Sequence, residues 1–83
     1  MTDLQAKMIR KIALDDYTPL NGAVPTKAED ATTWANTEID DAEDRGVVRS
    51  LVNAGLAYHD GIGRDSVVGL TEAGFKAFQD LQN

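Results

Sequence analysis

The segment from residue 43 to residue 55 constrains the fold more than any other part of the sequence. Its apolar residues recur at helical spacing and make one broad stripe, formed by Val47, Val48, Leu51, Val52 and Ala54. Gly55 follows directly, and glycine is preferred just past the end of a helix because it adopts a left-handed conformation without strain. The pattern predicts an amphipathic helix over 43–54, whose opposite side is formed by Arg45, Gly46, Arg49, Ser50 and Asn53.

Upstream of this helix, the chain divides into a helix, a loop and a short strand. Thr2 and Gln5 make a capping-box pattern ahead of an apolar helical repeat, which predicts a first helix over 3–15. Prolines, asparagine and glycine break helices and predict a loop over 17–25. A second capping-box pattern predicts a short helical turn within 26–31. The β-branched residues and the single tryptophan of 32–35 favour a strand.

Downstream, the pattern predicts a β-hairpin and a last helix. Residues 56–60 alternate in polarity, residues 61–63 contain two glycines, and residues 66–70 are mostly β-branched or apolar. Thr71 then suits the N-cap of a helix whose apolar residues are Ala73, Phe75, Phe78 and Leu81. The order of elements predicts an α+β fold with about three helices and a β-hairpin in the C-terminal half.

The length of 83 residues and the absence of cysteine limit how this fold is stabilised. A chain of this size buries only about 60% of the surface that it exposes when unfolded, and no disulfide can supplement the core. We therefore expect a single domain over 1–83, stabilised by its own packing or by a partner subunit in a homodimer. Core positions are expected for Trp34, Tyr58, Phe75 and Phe78, and the alternative for Trp34 is to anchor a dimer interface.

Two short motifs flank the predicted hairpin: Leu51-Val52-Asn53-Ala54-Gly55-Leu56 and Leu70-Thr71-Glu72-Ala73-Gly74. With this order and gap, residues 43–80 resemble winged-helix (winged helix-turn-helix) regulators. In those proteins a recognition helix ends in leucine-x-x-x-glycine-leucine, a hairpin wing follows, and leucine-threonine-acid-x-glycine opens the next helix. The resemblance implies a small winged-helix-like domain of a bacterial or phage transcriptional regulator. Residues 32–42 depart from the pattern, because they are acidic and show no clear apolar helical stripe.

The polar side of the predicted recognition helix implies double-stranded DNA as the partner. Arg45, Arg49, Ser50 and Asn53 are residue types that contact base edges and phosphates from the major groove, and Arg64 lies at the predicted wing tip. If the three arginines neutralise phosphates, the logarithmic salt dependence of binding has a slope of about −3 per monomer, and a homodimer doubles it. Every amphipathic helix has a polar face, so a merely solvated surface is the competing interpretation.

The distribution of charge favours a different class of function. The formal net charge is −6, and carboxylates cluster at the start of the predicted recognition helix, at Glu38, Asp40, Asp41, Glu43 and Asp44. They complement the helix dipole, but they also repel phosphates, and binding through phosphate neutralisation needs a net basic face. The alternative function is an acidic protein-interaction or inhibitor domain, a mimic of DNA charge that engages a basic protein partner and does not bind DNA.

Catalysis, metal binding and membrane insertion are not expected. No positioned nucleophile and base can be assigned, so we expect neither an enzyme nor a cofactor. The single histidine, His59, has no cysteine neighbours, which argues against a metal site. No stretch reaches the roughly 18 apolar residues of a membrane span, and charged residues interrupt the apolar ones at the amino terminus, unlike a signal peptide. We expect a cytoplasmic protein.

Overall fold

The structure, a computed structural model, describes residues 1–14, 23–35, 39, 41–61 and 66–82 and consists of helices and short strands. Within these residues there are three α-helices and three strands: α1 Asp3–Leu14, β1 Thr32–Trp34, α2 Ala42–Asn53, β2 Ala57–Asp60, β3 Val67–Leu70 and α3 Glu72–Gln82. A 3-10 helix at Ala28–Asp30 precedes β1. The α+β class, the three helices and the hairpin in the C-terminal half agree with the sequence prediction.

The three strands form one antiparallel sheet in the order β1-β3-β2. Strands β2 and β3 make the hairpin, with Ala57 opposite Leu70 and Asp60 opposite Val67. Strand β1 pairs with the other edge of β3, and Trp34 lies opposite Val67 there. The central strand is therefore β3, and β1, which is distant from β3 in the sequence, forms one edge of the sheet.

The core lies between one face of this sheet and the three helices. Val68 and Leu70 point from β3 into it, and their neighbours Val67 and Gly69 belong to the outer face because side chains alternate along a strand. The helices contribute the largest buried apolar side chains, namely Ile9 and Ile12 from α1, Leu51 from α2 and Phe78 from α3. Each lies on the apolar stripe that the helical spacing predicted.

The prediction of core positions for the aromatic residues is confirmed for two of the four. Phe75 and Phe78 are buried, with ring centroids 6.0 Å apart. For Trp34 and Tyr58 the prediction is wrong, because these side chains are 41% and 37% exposed. The sheet register explains the difference, since it places both on the outer face. A Cβ at Gly69 would collide with the Tyr58 ring, so this ring covers the gap that the glycine leaves.

The helix ends follow the capping signals in the sequence. At α1, the Gln5 amide donates to Thr2 Oγ1 at 3.1 Å and the Thr2 amide donates to Gln5 Oε1 at 3.0 Å, which confirms the capping box. Helix α2 begins and ends one residue earlier than predicted, because Asp41 is its N-cap and accepts from the Asp44 amide at 2.7 Å. The predicted end of α1 at Asp15, most of the loop over 17–25 and the hairpin residues 62–65 lie outside the described residues.

Candidate nucleic-acid interface

The end of α2 and the start of α3 meet at one junction, from which the hairpin projects. Gly55 has a φ of 77°, the left-handed conformation that glycine adopts without strain. The Leu56 amide then donates to Leu51 O at 2.9 Å, and the Thr71 amide donates to Leu56 O at 3.2 Å. Thr71 Oγ1 donates to Gly55 O at 2.6 Å and accepts from the Gly74 amide at 3.1 Å. The junction therefore fixes the direction in which α2 meets the hairpin.

Gly74 allows the start of α3 to approach the backbone of Leu56, which follows α2. A Cβ at this position would overlap the carbonyl oxygen of Leu56, so only glycine fits without a backbone shift. The two motifs that the sequence shows on either side of the hairpin are thus two halves of one contact. Thr71 binds the Gly55 carbonyl and Gly74 packs against the Leu56 carbonyl, which explains why the two motifs occur together in this chain.

Helix α2 turns one face away from the core. Val48 and Leu51 are buried, whereas Arg45, Arg49 and Asn53 are exposed. At 100° per residue these three positions lie within one narrow arc of the helix. The exposed residues Ala42, Gly46 and Val52 complete this arc, which we call the arginine face. The arginine face contains no acidic residue of α2, although the chain as a whole is acidic.

Gly46 leaves one edge of the arginine face without a side chain. A Cβ built at this position has no atom within 4 Å, so the glycine is not required by packing. Glycine in the interior of a helix costs about 1 kcal/mol relative to alanine, and no contact among the described residues explains this cost. What Gly46 provides is close access to the helix backbone from outside.

Ser50 was predicted to lie with the arginines on the exposed side of α2, but it is half-buried. Gln5 Nε2 of α1 donates a hydrogen bond to Ser50 Oγ at 3.1 Å. The same hydroxyl donates to Val47 O at 2.7 Å. Ser50 therefore attaches α2 to α1 in this structure, and the predicted groove-facing set is reduced to Arg45, Arg49 and Asn53.

The carboxylates at the start of α2 lie beside the arginine face rather than on it. Asp41 caps the helix through Oδ1, and Asp44 Oδ2 lies 3.7 Å from Lys11 Nζ of α1. Glu43 is exposed and lies about 120° around the helix from Arg49, as six residues at 100° each require. Two of the three described carboxylates thus have structural partners.

Three of the predicted site residues fall outside the described part of the chain. They are Arg64, expected at the tip of the hairpin, and the two acidic residues Glu38 and Asp40. The hairpin strand next to α2 is described, and Tyr58, His59 and Asp60 are exposed along it. The described site is therefore the arginine face together with these exposed residues of β2.

The basic residues of α1 also lie near the start of α2, and the sequence pattern did not predict this. Lys7 and Arg10 are exposed and Lys11 is half-buried, and all three lie on one side of α1 because Arg10 and Lys11 follow Lys7 by three and four residues. That spacing is visible in the sequence, but its meaning depends on the acidic first turn of α2, which only the tertiary structure brings opposite.

Among the described residues, no group of three or more histidine, cysteine, aspartate or glutamate side chains could hold a metal ion. None of the helices that these residues form is long and apolar enough to cross a membrane.

Away from the site, Lys27 Nζ lies 2.9 Å from Glu29 Oε1. This hydrogen bond and the negative charges of Glu29 and Asp30 raise the pKa of Lys27.

Comparisons of the chain with protein-family models, with curated proteins and with solved structures find no match.

Proposed function

We propose that this chain is a cytoplasmic winged-helix module that binds double-stranded DNA in bacterial or phage transcription regulation. Helix α2 acts as the recognition helix, and the hairpin β2–β3 acts as the wing. The observation that carries the proposal is the arginine face, where Arg45, Arg49 and Asn53 are exposed on one arc of α2. Arginine and asparagine form the bidentate contacts that distinguish guanine and adenine in the major groove.

The order of the elements supports this assignment. Helix-turn-helix proteins place their second helix in the major groove, while their first helix crosses the DNA backbone. Upstream of α2, Ala35 and Ile39 are both buried, and the Ile39 amide donates to Ala35 O at 3.0 Å. This pair supplies core contacts in the stretch where the sequence pattern departs from regular winged-helix proteins.

The shape of the arginine face also suits a groove. The major groove is about 12 Å wide and admits one α-helix. Because Gly46 has no side chain and nothing lies within 4 Å of its Cβ position, a DNA backbone can approach α2 closely at the edge of the arginine face. The helix cost of this glycine then has a functional reason.

A titration with duplex DNA tests the proposal. Fluorescence anisotropy with a labelled random-sequence duplex at low salt is expected to show binding by the wild type, and Arg49→Ala is expected to weaken it about tenfold. Lys76→Ala removes the same charge from an exposed site on α3 and is expected to change the affinity less than twofold. Absence of binding by the wild type at low salt, or equal losses in both variants, contradicts the proposal.

The second candidate is the acidic interaction domain, and the exposure of Asp41 and Glu43 favours it. Such a domain would bind a basic protein through the start of α2 and would not require Arg49. A pull-down with the wild type and with the double variant Asp40→Lys, Asp41→Lys tests this candidate. It requires a basic partner that the double variant loses and Arg49→Ala retains; a partner that both variants retain rules out this mode of binding.

A further inference from the structure

A groove of about 610 Å³ lies between α1 and the first turn of α2. One wall is cationic and belongs to α1, and the opposite wall is anionic and belongs to the start of α2. The cationic wall consists of Lys7, Arg10 and Lys11, and the anionic wall consists of Asp41, Glu43 and Asp44. The groove is thus divided by charge along its length.

The charges of the two walls are only partly neutralised within the groove. Lys11 and Asp44 approach to 3.7 Å, and each of these side chains is about one-third exposed. Lys7, Arg10 and Glu43 are exposed, and within the described residues they form no ion pair. Each wall therefore retains charge for an external partner.

The floor of the groove is apolar. Met8, Leu14 and Val47 are buried or half-buried along it, and Leu4 is 51% exposed at its side. Covering exposed apolar surface contributes about 25 cal/mol per Å². A partner that packs over both walls therefore also covers the exposed side chain of Leu4.

We propose that a second copy of this chain packs over this groove, so that the walls of the two protomers meet about a two-fold axis along the groove. Rotation about this axis places the cationic wall of each protomer opposite the anionic wall of its partner. Rotation about an axis across the groove would instead place like charges opposite each other. A surface with one wall of each sign and an apolar floor is self-complementary in this arrangement, which is what an isologous interface requires.

Other occupants match this groove less well. Duplex DNA is repelled by the anionic wall, and a uniformly basic protein leaves Lys7 and Arg10 opposite like charge. A second copy satisfies both walls with residues already present. Because Val47 and Glu43 lie on a different side of α2 from Arg49, the pairing leaves both arginine faces uncovered, and it does not depend on whether they bind DNA.

Charge reversal tests the pairing. The wild type is expected to sediment at about twice the 9.0 kDa mass of the chain and to dissociate as salt is raised. Lys7→Glu leaves the cationic wall with one net positive charge instead of three, and Glu43→Lys leaves the anionic wall with one net negative charge instead of three. Each variant alone is therefore expected to weaken dimerisation at least about tenfold. A mixture of the two variants is expected to form a heterodimer in preference to either homodimer, because the two reversed charges then lie on facing walls and attract each other.

Controls keep the result independent of folding. Lys76→Glu and Asp80→Lys reverse exposed charges on α3 and are expected to leave the dimer unchanged, and circular dichroism verifies that all variants are folded. A wild type that remains monomeric at high concentration overturns the proposal. So does a dimer that survives both single variants, which would place the interface elsewhere, such as the outer sheet face with Trp34 and Tyr58. Failure of the mixture to pair equally contradicts it.

Discussion

The two ends of α2 are held by different kinds of interaction. The C-terminal end is fixed by backbone geometry: Gly55 is left-handed, Leu56 is hydrogen-bonded on both sides, and Gly74 lies against the Leu56 carbonyl. The N-terminal end is held by the Asp41 cap and by the Lys11–Asp44 pair, both near the surface. At the C-terminal end, a side chain at Gly74 would overlap the backbone. At the N-terminal end, charged residues can be substituted with little effect on the fold. The fold therefore depends more on the C-terminal end of α2 than on its N-terminal end.

The largest effect is expected from Gly74→Ala at the fixed end. The new Cβ overlaps the Leu56 carbonyl, so the backbone must shift, and we expect a loss of about 2–3 kcal/mol in the free energy of unfolding. Urea denaturation monitored by circular dichroism measures this loss.

Gly46→Ala is the matched control, because it makes the same substitution in a helix where nothing lies within 4 Å. It is expected to stabilise the protein by about 0.5–1 kcal/mol. Equal effects at the two glycines would mean that the close approach at Gly74 does not hold the fold.

An intermediate effect is expected from the Thr71 hydroxyl. Thr71→Ala removes the N-cap of α3 and the hydrogen bond to Gly55 O, and it is expected to cost about 1–2 kcal/mol. Thr71→Ser retains the hydroxyl and is expected to restore most of this stability. Thermal unfolding of the three proteins ranks them, and a serine variant as unstable as the alanine variant would contradict the role of the hydroxyl.

The smallest effects are expected at the acidic end of α2. Asp41→Ala is expected to cost about 0.5–1 kcal/mol, because it removes an exposed cap. Asp41→Asn keeps a capping oxygen and should cost less. Lys11→Met, which removes a partly exposed ion pair, is expected to change stability by less than about 0.5 kcal/mol. Losses here that match those at Gly74 would remove the difference between the two ends.

Most elements of this fold were predictable from periodicity and capping signals. The stripe of α2 ending at Gly55, the capping box at Thr2 and the cap at Thr71 are local patterns, and the structure contains each of them. These features need no tertiary information, because residues a few positions apart determine them.

What the sequence could not show depends on contacts between distant residues. Ser50 belongs by spacing to the edge of the polar side of α2, and only Gln5, 45 positions away, explains its half-buried hydroxyl. Three residues of alternation in β1 do not determine which face is inward, so the exposure of Trp34 follows only from its pairing with β3. The groove likewise requires α1 and α2 to be side by side.

The arginine face is tested most directly by a nuclear magnetic resonance titration of the labelled protein with a short DNA duplex at low salt. We expect the amide signals of Gly46, Arg49 and Asn53 in α2 to move most. The signals of Lys7 and Leu14, which belong to α1 on the other side of α2, should move least. Shifts confined to the start of α2 or to the outer sheet face, or no shifts at all, would contradict the account.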